Sequence, residues 1–191
     1  MSLRVVPVTA ERWEDMCLLF ERRGPRGGMR NTPAFGCWCM YWRERALPHG
    51  ERKKRAMETL VRGGHEPGLL AYDGEEPVGW VSVGPRGDFP HVVRSPQYGP
   101  REQGGGAAVW SIVCFAVDRY ARGRGVAAAL LDAAVAYALA HGASSVEAYP
   151  HVRDPHDYMG HVDLFARAGF TTIRDANKRA IVRYEPQRTS R

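Results

Sequence analysis

No run of eighteen apolar residues occurs in the chain, and the opening MSLRVVPVTAERW carries no apolar core of the kind an export signal needs. A membrane-spanning or exported protein is therefore not expected, and the location read from the sequence is cytoplasmic. Cysteine is scarce: there are four, at 17, 37, 39 and 114, with no repeated CxxC spacing. That excludes a disulfide framework, and reduced thiols are the expectation. Cys37-x-Cys39 could ligate zinc with a histidine, but two thiols without a second pair are thin ground, and no metal is expected. Internal repeats and low-complexity tracts are missing, and so is the Gly-Lys-Ser/Thr of a Walker loop.

What is present suits one packed domain. A length of 191 residues is too short for two comfortable domains, and 44% hydrophobic with 25% charged residues is ordinary for a globular chain. One domain over residues 1–185 with a polar tail at 186–191 is expected. The net charge of +6 is uneven: residues 1–66 hold 13 Lys/Arg against 8 Asp/Glu, the remainder 14 against 13. Arg22, Arg23, Arg26, Arg30 and the run Arg52-Lys53-Lys54-Arg55 carry the excess. Such clusters can meet nucleic acid, but no aromatic–basic interleaving of a nucleic-acid module accompanies them, so a solvated helix face is favoured.

Hydrophobic periodicity predicts strands at Arg4–Val8, Leu69–Tyr72, Val78–Val83, Ser111–Val117, Ser145–Tyr149, Phe170–Arg174 and Arg179–Tyr184. Helices are predicted at Ala10–Arg22, Glu51–Val61, Val126 to about His141, and Val162–Ala168, with a short turn near His91–Arg94. Asp73-Gly74-Glu75-Glu76 reads as a hairpin turn. The order predicts an α/β (α+β) fold, a central mixed twisted sheet of about six to seven strands flanked by helices.

The stretch Ser111–His141 organises the rest. An apolar strand delivers a loop with three arginines and a glycine, then Gly125, then an alanine-rich helix. A helix N-terminus entered through glycine leaves backbone N–H groups unpaired and favours an anion. Gly123-x-Gly125-x-x-Ala128 formally fits a dinucleotide fingerprint, with Glu147 near the ribose position. Against it, five residues separate Val117 from Gly123 where that turn is immediate, and 43 residues after residue 148 are too few to finish a doubly wound domain.

Arg122-Gly123-Arg124-Gly125-Val126-Ala127 resembles motif A of the GNAT superfamily, the Gcn5-related N-acetyltransferases, in its strand–loop–helix setting. Phe165-Ala-Arg-Ala-Gly169-Phe170 is similar to the superfamily's closing aromatic-x-x-x-Gly-Phe signature, and the element order agrees over nearly the whole chain. The resemblance implies a GNAT-like fold and coenzyme A pyrophosphate on the N–H groups of Arg122, Gly123, Arg124, Gly125, Val126, Ala127 and Ala128. It also implies pantetheine pairing with the main chain of Phe115, Ala116 and Val117, one of which would polarise the thioester carbonyl.

Two departures stand out. Phe165 occupies the place of the superfamily's common tyrosine acid, and Ser111 the place of the glutamate base of histone-acetylating members. Replacement candidates are Glu147 as base, and Tyr149 or Tyr158 as acid, with Asp88, His151, His156 and His161 behind them; catalysis by positioning alone also stays open. Trp38, Tyr41, Trp80 and Trp110, with Trp42, are candidate acceptor-side aromatics.

The expected activity is acetyl transfer from acetyl-CoA to a primary amine by direct attack in a ternary complex, without a covalent intermediate on Cys114, which is expected inside a strand. A small-molecule acceptor is favoured over a protein amine. Partners are then acetyl-CoA and an amine, without membrane or nucleic acid; a homodimer is left open. A non-catalytic acyl-CoA sensor is the alternative that the missing acid and base suggest.

Overall fold

The computed structural model describes residues 3–25, 36–100, 108–153 and 158–186. Seven strands run β1 Leu3–Pro7, β2 Gly68–Asp73, β3 Glu76–Pro85, β4 Val109–Val117, β5 Ser145–Ala148, β6 Thr171–Ala176 and β7 Arg179–Tyr184. The helices are α1 Trp13–Glu21, α2 Glu51–Arg62, the single turn α3 Pro90–Val93, α4 Val126–Ala140 and α5 Val162–Arg167. They build one mixed sheet in the order β1-β2-β3-β4-β5-β7-β6. β4 and β5 are parallel; the other neighbours are antiparallel.

Three clusters of buried side chains hold the layers together. On one face α4 lays Val126, Leu130, Leu131, Ala134, Val135 and Ala138 on the sheet. The spacing puts all six on one stripe, and each buried leucine contributes roughly 1.5–3 kcal/mol. Gly79 of β3 makes the close approach possible: a Cβ there would meet Val126 Cγ1 at 2.6 Å and Leu130 Cδ1 at 3.0 Å. A side chain at 79 would lift the start of α4 off the sheet. On the other face α1, α2 and residues 38–40 close over Leu70, Tyr72, Trp80 and Ala116. A third cluster, Phe89, Val92, Val113, Tyr149, Met159 and Ile181, lies beside β5 and β7.

The predicted first helix is split: Ala10–Arg12 is a 3-10 turn and the α-helix starts at Trp13. Thr9 precedes it without a side-chain cap on the backbone; its hydroxyl oxygen accepts from Arg12 Nη1 at 3.2 Å instead. Basic residues of α2 are engaged in ion pairs, Lys54 with Glu21 of α1 at 2.8 Å, Arg55 with Glu51 at 3.1 Å and Arg62 with Glu58 at 2.7 Å, while Lys53 is buried. Arg26, Arg30, His156 and the 186–191 tail from residue 187 onward lie outside the described residues.

Candidate active site

The sheet parts between its two parallel strands. β4 pairs β5 only from Val109↔Ser145 to Ile112↔Ala148. β4 then runs on through Val113–Val117, while the chain after β5 follows β7: Ala180 N–H donates to Pro150 O at 3.0 Å, and His151 bridges Arg179. Opposite β3 the pairing steps from Ser82↔Cys114 to Val83↔Ile112, so Val113 is one residue too many for its partner strand. Such a bulge bends a strand and re-aims its groups. The result is a β4 edge whose main chain faces a gap instead of a neighbour.

One group on that edge shows where it points. Phe115 N–H donates to the carbonyl of Tyr158 at 2.6 Å, across the gap. Phe115's ring goes to the opposite face, against Phe165 at 6.1 Å between centroids. Phe165 also packs Phe170 at 5.2 Å and is fully buried, so the closing signature serves the core.

Past Val117 the chain turns through a loop into α4. Gly123 (φ +73°) and Gly125 (φ +82°) take the left-handed backbone that other L-residues adopt only with strain. A Cβ at either would meet nothing within 4 Å, so the space above them is open. Gly125 is the N-cap residue of α4 and offers no side-chain cap, and Ala129 N–H opens the intrahelical series on Gly125 O at 3.0 Å. The N–H groups ahead of it have no intrahelical acceptor and lie at the positive end of a fifteen-residue helix. Arg122 Nε rests 3.4 Å from Val117 O, and Arg124 Nη2 reaches Asp73 Oδ2 at 3.0 Å; both arginines are exposed. Asp118, absent from the sequence candidates, holds the loop in shape. It is fully buried, its Oδ1 accepts from Tyr120 N–H at 2.9 Å and its carbonyl from Ala121 N–H at 2.8 Å. An aspartate immediately after a strand is the usual signal for such a turn.

A cavity of about 440 Å³ opens beside the β4 edge. Val113, Cys114, Phe115 and Ala116 form one side; Cys37, Cys39, Tyr41 and Trp42 form another. Gln97, Tyr98, Tyr158, Met159 and Arg179 complete it. Cys114 is therefore not sealed inside its strand: it is half-buried and faces the cavity, because the bulge shifts the alternation of β4 at that point. Cys37 and Cys39 stay protonated. The hydrogen bond with the Cys114 thiol, and then burial, push Cys39 well above the ordinary thiol range, and burial raises Cys37. Among the described residues no three His, Cys, Asp or Glu side chains converge on a metal-sized site.

Of the aromatic candidates, Tyr41 and Trp42 line this cavity and the other three do not. Trp110 goes to the opposite face, where its ring meets Tyr137 at 5.9 Å and His141 at 6.0 Å on α4. The cause is strand alternation: Ser111 points to the other face, toward the Tyr149 hydroxyl, so its neighbour cannot. Trp38 has φ +49°, which turns its ring inward to Trp13 and Phe20 at 5.6 and 5.1 Å. Trp80 is fully buried beneath the cavity, its Nε1–H donating to Cys39 Sγ at 3.2 Å.

The three catalytic candidates are dispersed. Tyr158 lines the cavity and is 45% exposed. Glu147 does not reach it; it faces a second cavity of about 360 Å³ with Arg86, Arg174 and Arg183. Its Oε1 accepts from Arg183 Nη2 at 2.7 Å and Nε at 3.2 Å, and its Oε2 from Arg86 Nη1 at 3.1 Å and the Tyr149 hydroxyl at 3.3 Å. Tyr149 is fully buried, with Ser111 Oγ 2.9 Å from its hydroxyl. Burial first, and the neighbouring Glu147 charge second, push that phenol far above its ordinary pKa. Of the remaining candidates, Asp88 pairs with Arg43 at 3.2 Å and His161 caps α5 by accepting from Asp163 N–H at 3.4 Å.

The family model described as the acetyltransferase (GNAT) family matches residues 35–170, which is most of the chain. The chain belongs to that family. It is an N-acetyltransferase of the GNAT type with acetyl-CoA as co-substrate. Solved structures agree on the fold. The GNAT domain of S. lividans PAT is 20% identical with a TM-score of 0.59, over 96% of this chain and 90% of that one. The PaiA N-acetyltransferase from Thermoplasma acidophilum, solved with coenzyme A, is 10% identical with a TM-score of 0.53, over 97% and 100%. An acetyltransferase from Thermus thermophilus is 17% identical with a TM-score of 0.54, over 97% and 98%. A comparison with curated proteins gave no match.

Proposed function

We propose that this acetyltransferase transfers acetyl from acetyl-CoA to the primary amine of a small molecule by direct attack in a ternary complex. The observation that carries the reading is the β4 edge left without a neighbouring strand beyond Ile112, with Phe115 N–H aimed across the gap at the Tyr158 carbonyl and the 440 Å³ cavity beside it. The pyrophosphate would sit on the N–H groups of residues 122–128, where glycine at 123 and 125 lets it approach. Pantetheine would then lie along Phe115–Val117 as an added strand. The thioester oxygen would take the place now held by the Tyr158 carbonyl, so Phe115 N–H becomes the donor to the developing oxyanion. Seating the donor therefore displaces Tyr158 from β4.

The amine enters from the cavity. It has to arrive neutral, since an ammonium with pKa roughly 10.4 has no lone pair to attack with. Among the described residues no carboxylate lines the cavity, so positioning does most of the work. Tyr158 is the sequence candidate whose side chain lies on the cavity wall, and it is assigned here as the acid for the departing thiolate. Both oxygens of Glu147 are engaged by guanidiniums and the Tyr149 hydroxyl is buried behind Ser111, so neither is given a proton-transfer role.

Calorimetric titration with acetyl-CoA, followed by thiol release on a panel of small amines and lysine-bearing peptides, tests the reading. Saturable binding and turnover of small amines is the expected result. Binding with turnover of the peptides alone would overturn the small-molecule acceptor, and absence of binding would overturn the donor site.

A further inference from the structure

Two populations of aromatic ring lie near the transfer site. Trp38 and Trp80 are sealed in the core, within 1% and 0% exposure. Tyr41, Trp42 and Tyr98 are half-buried and line the cavity. Those three form one continuous wall: Trp42 stands edge-to-face against Tyr41 at 4.9 Å and 85°, and against Tyr98 at 5.7 Å and 77°. Met159, 4% exposed, adds a thioether to the same cavity, and Cys37 adds a thiol.

The wall is held in place before any ligand arrives. Trp42 is fixed through its carbonyl, which accepts from His91 N–H at 3.2 Å. Tyr98 sits in a turn closed by Gly99 N–H to Ser95 O at 2.8 Å and Tyr98 N–H to Ser95 Oγ at 3.1 Å. Arg174 of β6 clamps that turn, donating from Nη2 to Gln97 O at 3.0 Å and Gly99 O at 2.9 Å. Gly99 leaves no room for a side chain, as a Cβ would come within 2.6 Å of Val93 O. Rings pinned in this way bind a flat group with little further loss of freedom. Their quadrupoles favour another ring, stacked offset or edge-on, over a saturated group of the same size, and sulfur beside a ring adds to this.

We infer that the acceptor is an arylalkylamine: an aromatic body lies against Tyr41, Trp42 and Tyr98, and a short chain delivers the amine to the β4 edge. This rests on the acetyl-transfer reading above and names its substrate class. The reaction is the ordinary one: the amine nitrogen bonds to the acetyl carbon, the C–S bond breaks, and the ammonium proton is lost as coenzyme A leaves as the thiol.

Initial-rate kinetics with acetyl-CoA on 2-phenylethylamine, tryptamine, 2-cyclohexylethylamine, spermidine and a lysine-bearing peptide test it. The expected kcat/KM of the aryl amines exceeds that of 2-cyclohexylethylamine by about tenfold, the amount an aromatic pair adds beyond buried area. Equal or better use of the cyclohexyl amine, the polyamine or the peptide overturns the inference. Trp42→Leu is expected to erase the preference through KM with kcat and the acetyl-CoA Kd retained, and Tyr98→Leu serves if that variant does not fold; an unchanged preference in both overturns the assignment to this wall. If no amine is turned over, saturation-transfer NMR of 2-phenylethylamine on the coenzyme A-loaded protein separates the two proposals. A signal lost in Trp42→Leu upholds the aromatic site while the transfer reading fails, and no signal in the native protein sinks the site itself.

Discussion

The proposed donor and acceptor sides of this enzyme are built from different materials. On the proposed donor side the working groups would be main-chain amides: Phe115 N–H on β4 and the N–H groups at the head of α4. On the proposed acceptor side they are side chains from separate segments, among them Cys37, Tyr41, Trp42, Tyr98, Cys114 and Met159. An amide can be aimed only by backbone geometry, so the donor side needs glycine at two left-handed positions and a bulge at Val113. A side-chain wall needs only that its carriers be brought together, which any of several loops can do.

The largest expected effect lies between the halves, in the charged group that joins β5 to β7. Replacing Glu147 by Gln leaves Arg86 and Arg183 facing each other without a shared counter-ion, with the Glu147 side chain only 4% exposed. Breaking a buried pair in this way costs about 3–5 kcal/mol, and the flanking arginines' partial exposure puts this case near the lower end. Urea denaturation should show that loss while the acetyl-CoA Kd of the folded fraction stays within about twofold, a factor worth under 1 kcal/mol. If stability is unchanged and kcat collapses, Glu147 belongs to the chemistry after all.

Tyr158 touches both halves, its carbonyl on Phe115 and its side chain in the cavity. Tyr158→Phe keeps the carbonyl and removes the proton. A drop of about 100-fold in kcat with unchanged KM for acetyl-CoA is expected, in the range a general acid supplies. An unchanged kcat would leave positioning alone as the source of catalysis.

The contrast between the halves also explains how much was legible beforehand. The seven strands were visible because alternation and β-branched runs survive any tertiary context, and β7 matches its expected bounds at Arg179–Tyr184. The motif loop was visible because its glycines are demanded by φ. The aromatic wall was legible only in part: Tyr41 and Trp42 were among the candidates, but so was Trp110, which the facing of β4 sends to α4. Tyr98 and Cys114 carried no signal, since one depends on a turn clamped by a residue 76 positions away in sequence and the other on a bulge. Glu147 was a candidate base because it is a carboxylate on β5; its two guanidinium partners come from distant segments and left no mark in the local sequence.

The donor half can be tested at its geometry. Gly125→Val places a branched Cβ on a left-handed residue with nothing within 4 Å of it. The strain costs about 1–2 kcal/mol of stability, and the new side chain stands where phosphate must approach. Acetyl-CoA should bind at least about tenfold more weakly, equivalent to 1.4 kcal/mol, while aryl-amine binding, read by saturation transfer, holds. Loss of both together would show that the halves are not separable.

The smallest effect is expected at Arg124, and it discriminates between charge and amides as the anchor of pyrophosphate. Its guanidinium lies 3.0 Å from Asp73, with the two side chains 49% and 32% exposed. An exposed pair of this kind contributes about 0.2–1 kcal/mol, so Arg124→Gln should barely move the melting temperature. If the amides of residues 122–128 carry the phosphates, acetyl-CoA affinity falls only about two- to fivefold, up to roughly 1 kcal/mol, and the fall shrinks as salt is raised. A larger, salt-resistant loss would mean that the arginine itself clamps the phosphate, and that the donor half, like the acceptor half, depends on a side chain.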